Sequence, residues 1–182
     1  MIQKIKGKKY LINGGLGMIG STIATILVKA GAEVTIVDAM IKPFGANFFN
    51  IEKIKDQVKI RIFDIKNIKE MKKEVENKDV ILNLAGQIAH NDSIINPLYD
   101  AKMNYLYQLN IMECIKQVNP KAKVIFSGSR LQFGKIENTP VDESHPSYPE
   151  TPYALHKLTT ENMYQFYNRQ YDIDTVVFRI AN

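Results

Sequence analysis

The hydrophobic positions of the chain alternate between short apolar runs rich in β-branched residues and longer segments in which apolar residues recur every three or four positions. This alternation predicts parallel strands that are covered by helices on both faces of a sheet. The predicted strands are residues 9–13, 33–37, 58–63, 80–84, 123–127 and 175–180, and the predicted helices are residues 18–29, 68–76, 98–118 and 152–171. The pattern predicts the α/β class, with a doubly wound parallel sheet in a single domain spanning residues 1–182.

Two stretches, residues 39–50 and 128–151, interrupt this rhythm with glycine, proline and polar residues. Both follow predicted strands. In open α/β sheets, ligands bind outside the carboxyl ends of the strands, so we interpret these stretches as walls of a ligand site.

Glycines occupy positions 14, 17 and 20, between the first predicted strand and the first predicted helix. Gly14 permits a sharp turn, Gly17 lets the backbone approach a pyrophosphate, and Gly20 lets the helix pack close to the strand. The helix that begins at Met18 and Ile19 then offers free N–H groups to the phosphates. With a strand before it and a helix after it, this turn predicts a Rossmann-type dinucleotide site, although glycine-rich turns also occur without a ligand.

An acidic residue, Asp38, ends the second predicted strand. A carboxylate at that point accepts hydrogen bonds from ribose hydroxyls and repels the 2′-phosphate of NADP, which favours NAD; the nearby Lys42 leaves NADP open. A second acid, Asp64, ends the third strand. It either faces the adenine or caps the helix that begins at Ile68.

Tyr153 and Lys157 lie four positions apart at the start of the last predicted helix, and so on one face of it. A cation near a tyrosine can lower its pKa from about 10 by roughly 1 to 3 units, which would make Tyr153 a base. Such pairs also occur by chance on helix surfaces. The upstream glycine turn favours chemistry here, as do Ser127 and Ser129 at the end of the fifth strand, where a hydroxyl can hold a substrate oxygen beside Tyr153.

Composition excludes several other functions. The net charge is +5, but 20 of the 24 basic residues are lysines spread along the chain, which indicates solvated faces rather than a nucleic-acid partner. No apolar run is long enough to cross a membrane and no leader pattern is present, so we expect a cytoplasmic protein.

Cys114 is the single cysteine, and the three histidines are scattered, so we expect no disulfide and no metal site. By helical geometry His156 points away from the Tyr153/Lys157 face, as a surface or packing residue.

These motifs, in this order, resemble the extended short-chain dehydrogenase/reductase family of NAD-dependent nucleotide-sugar epimerases and dehydratases. The resemblance covers the whole chain and rests on Gly14-x-x-Gly17-x-x-Gly20, Asp38, Asp64-Ile65, Asn83-Leu84-Ala85-Gly86, Asn104, Ser129, Phe133-Gly134, Val141-Asp142-Glu143, Tyr153-x-x-x-Lys157 and Glu161. It implies NAD as cofactor and a nucleotide sugar as substrate. It implies that Ser129 and Tyr153 contact the reacting sugar hydroxyl and that Lys157 binds the nicotinamide ribose. Further residues implied to contact the cofactor are Ile65, Leu84, Ala85, Gly86, Asn104 and Ser127.

Within that family, residues 85–97 look most like the CDP-paratose/CDP-tyvelose 2-epimerase type, with the UDP-glucose 4-epimerases as close relatives. Dehydratases place an Asp and a Glu directly after the catalytic hydroxyl residue, whereas this chain has Arg130 and Leu131. Neither can serve as acid or base at neutral pH, so we predict an epimerase. The alternatives are a NAD-binding module without catalysis and a one-way dehydrogenase or reductase.

The final residues, Arg179-Ile180-Ala181-Asn182, resemble the Arg-x-x-Asn after which family members continue into a substrate domain. The resemblance therefore implies that the C-terminal substrate domain is missing from this chain. It also implies a homodimer, formed by packing the two long predicted helices, residues 98–118 and 152–171, into a four-helix bundle.

Overall fold

A computed structural model describes residues 4–181, and the described chain is built around one six-stranded parallel sheet with the strand order β3-β2-β1-β4-β5-β6. The strands are β1 (Lys9–Asn13), β2 (Glu33–Asp38), β3 (Val58–Ile62), β4 (Val80–Asn83), β5 (Lys123–Ser129) and β6 (Thr175–Ile180). The helices are α1 (Met18–Lys29), α2 (Ile68–Val75), α3 (His90–Ile95), α4 (Pro97–Ala101), α5 (Tyr107–Val118) and α6 (Pro152–Tyr171). The predicted α/β class and all six strands are confirmed.

Helices cover both faces of the sheet, as the doubly wound prediction requires. On one face, Leu11 and Phe126 pack against α2, α5 and α6, where Cys114 is also buried. On the other face, Ile12 and Ile36 pack against α1 and a 3₁₀ helix at Phe48–Gln57. Strands buried on both sides are apolar throughout, which is why the pattern of the sequence identified them.

Three details differ from the prediction. The helix predicted at residues 98–118 is continuous in space but changes winding, with a π-helical turn at Lys102–Leu106 between α4 and α5. The 3₁₀ helix at Phe48–Gln57 was not predicted, because its three-residue turn does not produce the 3.6-residue period of an α-helix. The helix α3 was not predicted, because its 6 residues are too few to show a period. Strand β5 continues to Ser129, two residues beyond its predicted end, and so holds the Ser129 backbone in the sheet.

All six strands run in the same direction, so their carboxyl ends meet at one edge of the sheet. The order of the strands reverses between β1 and β4, and ligands of open α/β sheets bind at such a switch point. Within residues 4–181, no helix combines the length and the apolar character needed to span a membrane.

Candidate functional site

The glycine turn has the geometry that the sequence predicts for two of its glycines. Gly14 has a φ of 80°, in the left-handed region, and a Cβ there would lie 2.9 Å from the Ala85 nitrogen. A Cβ on Gly20 would lie 2.4 Å from the Gly14 carbonyl oxygen. Both contacts are too short for any side chain, so Gly14 and Gly20 allow the first turn of α1 to pack against β1 and β4.

Gly17 is different, because its open side faces a cavity. A Cβ at this position would meet only the Gly14 carbonyl oxygen, at 3.5 Å, which is an ordinary contact. Gly17 is also the N-cap of α1 and has no side chain to occupy the free N–H groups of the first turn. Uncapped amides and the positive end of the helix dipole attract anions, so the residues present fit a pyrophosphate.

Asp38 lies at the end of β2 and is almost fully buried. Its Oδ2 accepts a hydrogen bond from the Leu16 N–H at 3.0 Å, and its Oδ1 accepts one from the Met40 N–H at 2.8 Å. Each carboxylate oxygen has two lone pairs, so both can accept further hydrogen bonds from a ligand hydroxyl. Asp38 therefore stabilises the glycine turn through the Leu16 N–H, and its carboxylate can also accept hydrogen bonds from a ribose.

Of the two roles considered for Asp64, helix capping is wrong. The N-cap of α2 is Asn67, whose side chain accepts from the Glu70 N–H. Asp64 instead accepts a hydrogen bond from the Lys66 N–H at 2.9 Å and pairs with the Lys66 ammonium. Its carboxylate lines the same cavity as Asp38.

Tyr153 and Lys157 share one face of α6, which brings them to Ser129 at the end of β5. Lys157 is buried, and its Nζ donates to the Ser127 carbonyl oxygen at 3.0 Å. The same Nζ lies 5.9 Å from the centroid of the Tyr153 ring. The N-terminus of the helix is fixed by the Tyr153 N–H, which donates to Ser93 Oγ at 3.0 Å. A hydroxyl, a phenol and an ammonium therefore meet at one place.

The expectation that Lys157 lowers the pKa of Tyr153 is wrong for the protein by itself. Burial raises the pKa of Tyr153 above its ordinary value of 10.0, a hydrogen bond with Ser129 lowers it, and the charge of Asp100 raises it further. Burial also lowers the pKa of Lys157 to about 8, against an opposing effect of Asp100. Removal from water is the largest effect on both groups, and the Lys157 ammonium does not offset it at Tyr153, so the pKa of the phenol lies above its ordinary value.

Sequence reasoning missed Asp100, a fully buried acid on α4. Its Oδ1 lies 2.6 Å from His156 Nδ1, and its Oδ2 accepts from the Asn104 amide at 3.0 Å. His156, which was expected to be a surface or packing residue, is partly buried, and its ring pairs with this carboxylate. No local pattern signals this pairing, since the two residues lie 56 positions apart.

A cavity of about 440 Å³ joins the glycine turn to the Tyr153/Lys157 pair. Its lining includes the predicted site residues Gly14, Gly17, Met18, Ile19, Gly20, Asp38, Asp64, Ile65, Leu84, Ala85, Gly86, Ser127, Ser129, Tyr153 and Lys157. Ile41, Phe44 and Ala46 also line it, so the stretch 39–50 is a wall of the cavity, as expected. Asn104 is the predicted site residue that lies behind this lining.

The position of Asn104 explains why residue 86 is a glycine. A Cβ on Gly86 would lie 2.5 Å from Asn104 Oδ1. That oxygen is buried and accepts no hydrogen bond from the described residues, which makes it an acceptor available near the cavity. Among residues 4–181, no group of three or more His, Cys, Asp or Glu side chains is arranged to hold a metal ion.

The strand order and the glycine turn define a Rossmann-type protein. A family model described as GDP-mannose 4,6 dehydratase matches residues 11–182. A protein of Methanocaldococcus jannaschii described as a UDP-glucose 4-epimerase is 33% identical over 174 residues, covering 94% of this chain and 55% of that protein. The CDP-paratose 2-epimerase of Salmonella typhi is 25% identical, covering 94% of this chain and 56% of the enzyme. The solved UDP-N-acetylglucosamine 4-epimerase of Methanobrevibacter ruminantium M1 has a TM-score of 0.88 and 29% identity, covering 96% of this chain and 55% of its own.

The chain belongs to the GDP-mannose 4,6 dehydratase family. The resemblance to nucleotide-sugar epimerases and dehydratases that the motifs indicate is therefore confirmed. The chain spans about half the length of the curated relatives that it matches.

Proposed function

We propose that this chain is the cofactor-binding part of a NAD-dependent nucleotide-sugar epimerase. The observation that carries the proposal is the shared cavity, which has the glycine turn at one end and Ser129, Tyr153 and Lys157 at the other. A dinucleotide is long enough to contact both ends. Family membership and relatives with epimerase names support the same function.

NAD fits the residues that line the cavity. The free amides at Met18 and Ile19 would hold the pyrophosphate, and Asp38 would hold the adenosine ribose. Asp64 would lie on the adenine side, and Lys157 would bind the nicotinamide ribose. Ile65, Leu84, Ala85 and Gly86 would line the dinucleotide, with Asn104 behind Gly86. Bound NAD⁺ would supply the hydride acceptor, the later hydride donor and a positive charge, and a nearby cation favours the ionised form of a phenol.

The chain's own residues would handle the proton and the orientation of the sugar. Tyr153 Oη would take the proton of the hydroxyl at the carbon to be inverted, and would return it to the carbonyl oxygen when the configuration is reset. Ser129 Oγ would hold the same substrate oxygen. Lys157, fixed by the Ser127 carbonyl, would hold the ribose at the correct distance from Tyr153.

Epimerisation is favoured over dehydration by the two residues that follow Ser129. Arg130 is exposed and Leu131 is half-buried in the 3₁₀ turn at Arg130–Phe133. An elimination of water needs a second acid and base beside the substrate, and neither side chain can supply one at neutral pH. The substrate class proposed is a nucleotide sugar.

The test uses the chain alone and the chain fused to the C-terminal half of the M. jannaschii relative. Each protein is incubated with NAD and a panel of UDP-, CDP-, GDP- and dTDP-sugars, and the products are separated by chromatography. We expect one sugar to be converted to its epimer by the fusion, with no net formation of NADH. Accumulation of NADH would indicate a one-way dehydrogenase instead. NAD binding without turnover of any sugar would indicate a binding module.

Tyr153→Phe in the active fusion is the critical variant. It should lose at least about a thousandfold in kcat and still bind NAD, because only the ionisable oxygen is removed. Tyr148→Phe, an exposed tyrosine of the loop after Gly134, is the matched control and should retain activity. Turnover by Tyr153→Phe close to that of the parent protein would contradict the proposed mechanism.

A further inference from the structure

A buried carboxylate, Glu161, receives hydrogen bonds from three side chains. Arg179 contacts it through two bonds, from Nε to Oε2 at 3.0 Å and from Nη2 to Oε1 at 2.9 Å. Gln132 Nε2 donates to Oε2 at 2.6 Å, and Gln165 Nε2 donates to Oε1 at 3.2 Å. A bidentate ion pair with further amide donors has little freedom to move, so Glu161 and Arg179 form a fixed point between α6 and β6.

Gln132 differs from Gln165 in having a second contact, which reaches the proposed catalytic residue. Its Oε1 accepts a hydrogen bond from the Ser129 N–H at 2.7 Å. Gln132 is completely buried, so both ends of its amide depend on these protein partners. One side chain therefore connects the Glu161 carboxylate directly to the Ser129 backbone.

The backbone beside Ser129 leaves room for this amide. A Cβ on Gly128 would lie 2.6 Å from Gln132 Oε1, so any larger residue at 128 would push the amide away. The Ser129 side chain is held in the same turn, because its Oγ accepts a hydrogen bond from the Leu131 N–H at 3.2 Å. The Leu131 N–H occupies one of the two lone pairs of this hydroxyl, which leaves its proton free to be donated towards Tyr153.

We propose that Gln132 is the positioning residue for Ser129: through Gln132, the Glu161–Arg179 pair fixes the Ser129 backbone and keeps its hydroxyl against Tyr153. The significance of this link for catalysis rests on the proposed function. The hydrogen bonds that join Glu161, Gln132 and Ser129 are made within the chain and do not depend on its function. A glutamine that only capped the 3₁₀ turn would need no contact other than the Ser129 N–H. Gln132 makes a second contact, because its Nε2 also donates to the buried Glu161 carboxylate.

The experiment compares Gln132→Met with Gln165→Met in the chain without cofactor or substrate. Both variants remove one amide donor to Glu161, but only the first removes the bond to Ser129. The ionisation of Tyr153 is followed by ¹⁹F NMR in protein labelled with 3-fluorotyrosine, and its signal is assigned with Tyr153→Phe. The Ser129 hydrogen bond stabilises the ionised phenol, so Gln132→Met should raise the pKa of Tyr153, as Ser129→Ala does. Gln165→Met should leave it unchanged.

A double variant separates positioning from a general loosening of the fold. Adding Gln132→Met to Ser129→Ala should raise the pKa of Tyr153 no further, because the hydroxyl through which Gln132 acts is already gone. An additive shift, an equal shift in Gln165→Met, or no shift in Gln132→Met would overturn the proposal. If Gln132→Met fails to fold, Gly128→Ala replaces it, because the added methyl displaces the same amide. Gly128→Ala should also raise the pKa of Tyr153, and an unchanged pKa in this variant would overturn the proposal.

These measurements can fail independently of the proposed function. Tyr153→Phe could abolish epimerisation by the fusion while Gln132→Met leaves the pKa of Tyr153 unchanged, which would remove only the positioning role. Conversely, the coupling between Gln132 and Ser129 could be found in a chain that converts no sugar.

Discussion

Lys157 holds α6 to strand β5 through Ser127, because its Nζ donates to the Ser127 carbonyl oxygen at 3.0 Å. The ammonium also lies 4.7 Å from the centroid of the Phe126 ring on the same strand. Burial lowers the pKa of this lysine to about 8, although the nearby charge of Asp100 raises it. A cation that is proposed to bind a ribose is thus fixed in place before any ligand arrives, at a cost in stability.

The first prediction concerns that cost. The folded-state pKa of Lys157 is about 8 and the ordinary value is 10.5, so the unfolded chain binds more protons between these two pH values. The contribution of Lys157 to the free energy of unfolding of the wild type is therefore lowest below pH 8 and increases as the pH rises to 10.5. In Lys157→Met this dependence disappears. The wild type gains stability over this range and the variant does not. We therefore expect the free energy of unfolding of Lys157→Met minus that of wild type to decrease by about 3 kcal/mol between pH 7 and pH 10.5.

Urea unfolding at several pH values measures this difference. Lys69→Met, at an exposed position of α2, is the control and should differ from wild type by the same amount at every pH. A pH-independent difference for Lys157→Met would show that the ammonium is not buried as described.

The second prediction concerns cofactor choice. The Asp38 carboxylate faces the cavity and would repel a 2′-phosphate, so calorimetry should find NAD bound at least tenfold more tightly than NADP, which is about 1.4 kcal/mol. Asp38→Ala should narrow this ratio. Asp64→Ala removes a carboxylate from the same cavity but not from the ribose position, so it should preserve the ratio. Equal affinities of wild type for the two dinucleotides would contradict the role given to Asp38.

The third prediction distinguishes two glycines of one turn. Gly17→Val fills the open side of the turn and should weaken NAD binding by at least about a hundredfold, with an unchanged circular dichroism spectrum. Gly20→Ala places a methyl 2.4 Å from the Gly14 carbonyl oxygen and should lower the melting temperature instead. Tight NAD binding by a folded Gly17→Val protein would be incompatible with a pyrophosphate at this turn.

The fourth prediction concerns self-association. Leu98 and Leu106, in the segment from α4 to α5, and Leu155 and Phe166, on α6, are large apolar side chains exposed on the two long helical segments. We expect these surfaces to pair in a homodimer, because burying them removes apolar area from water. Leu106→Glu combined with Leu155→Glu should give a monomer in sedimentation velocity. Phe49→Glu, at an exposed site elsewhere, should leave the dimer intact, and a wild-type monomer at high concentration would refute the expectation.

The sequence by itself determined the features that depend on local sterics and on burial of whole segments. The six strands could be identified because each is apolar along its length, and the glycine turn because Gly14 and Gly20 occupy positions where no side chain fits. The spacing of Tyr153 and Lys157 was sufficient to place them on one face of α6, since helix geometry fixes that relation.

The tertiary structure alone decided the contacts between residues far apart in the chain. The pairing of Asp100 with His156 and the bond from Gln132 to Glu161 depend on how α4, α6 and the turn after β5 pack, and no local pattern records that packing. The protonation of Tyr153 was decided in the same way. Spacing suggested a lowered pKa, but a pKa reflects the balance between attraction and loss of water, and burial depth exists only in the folded chain.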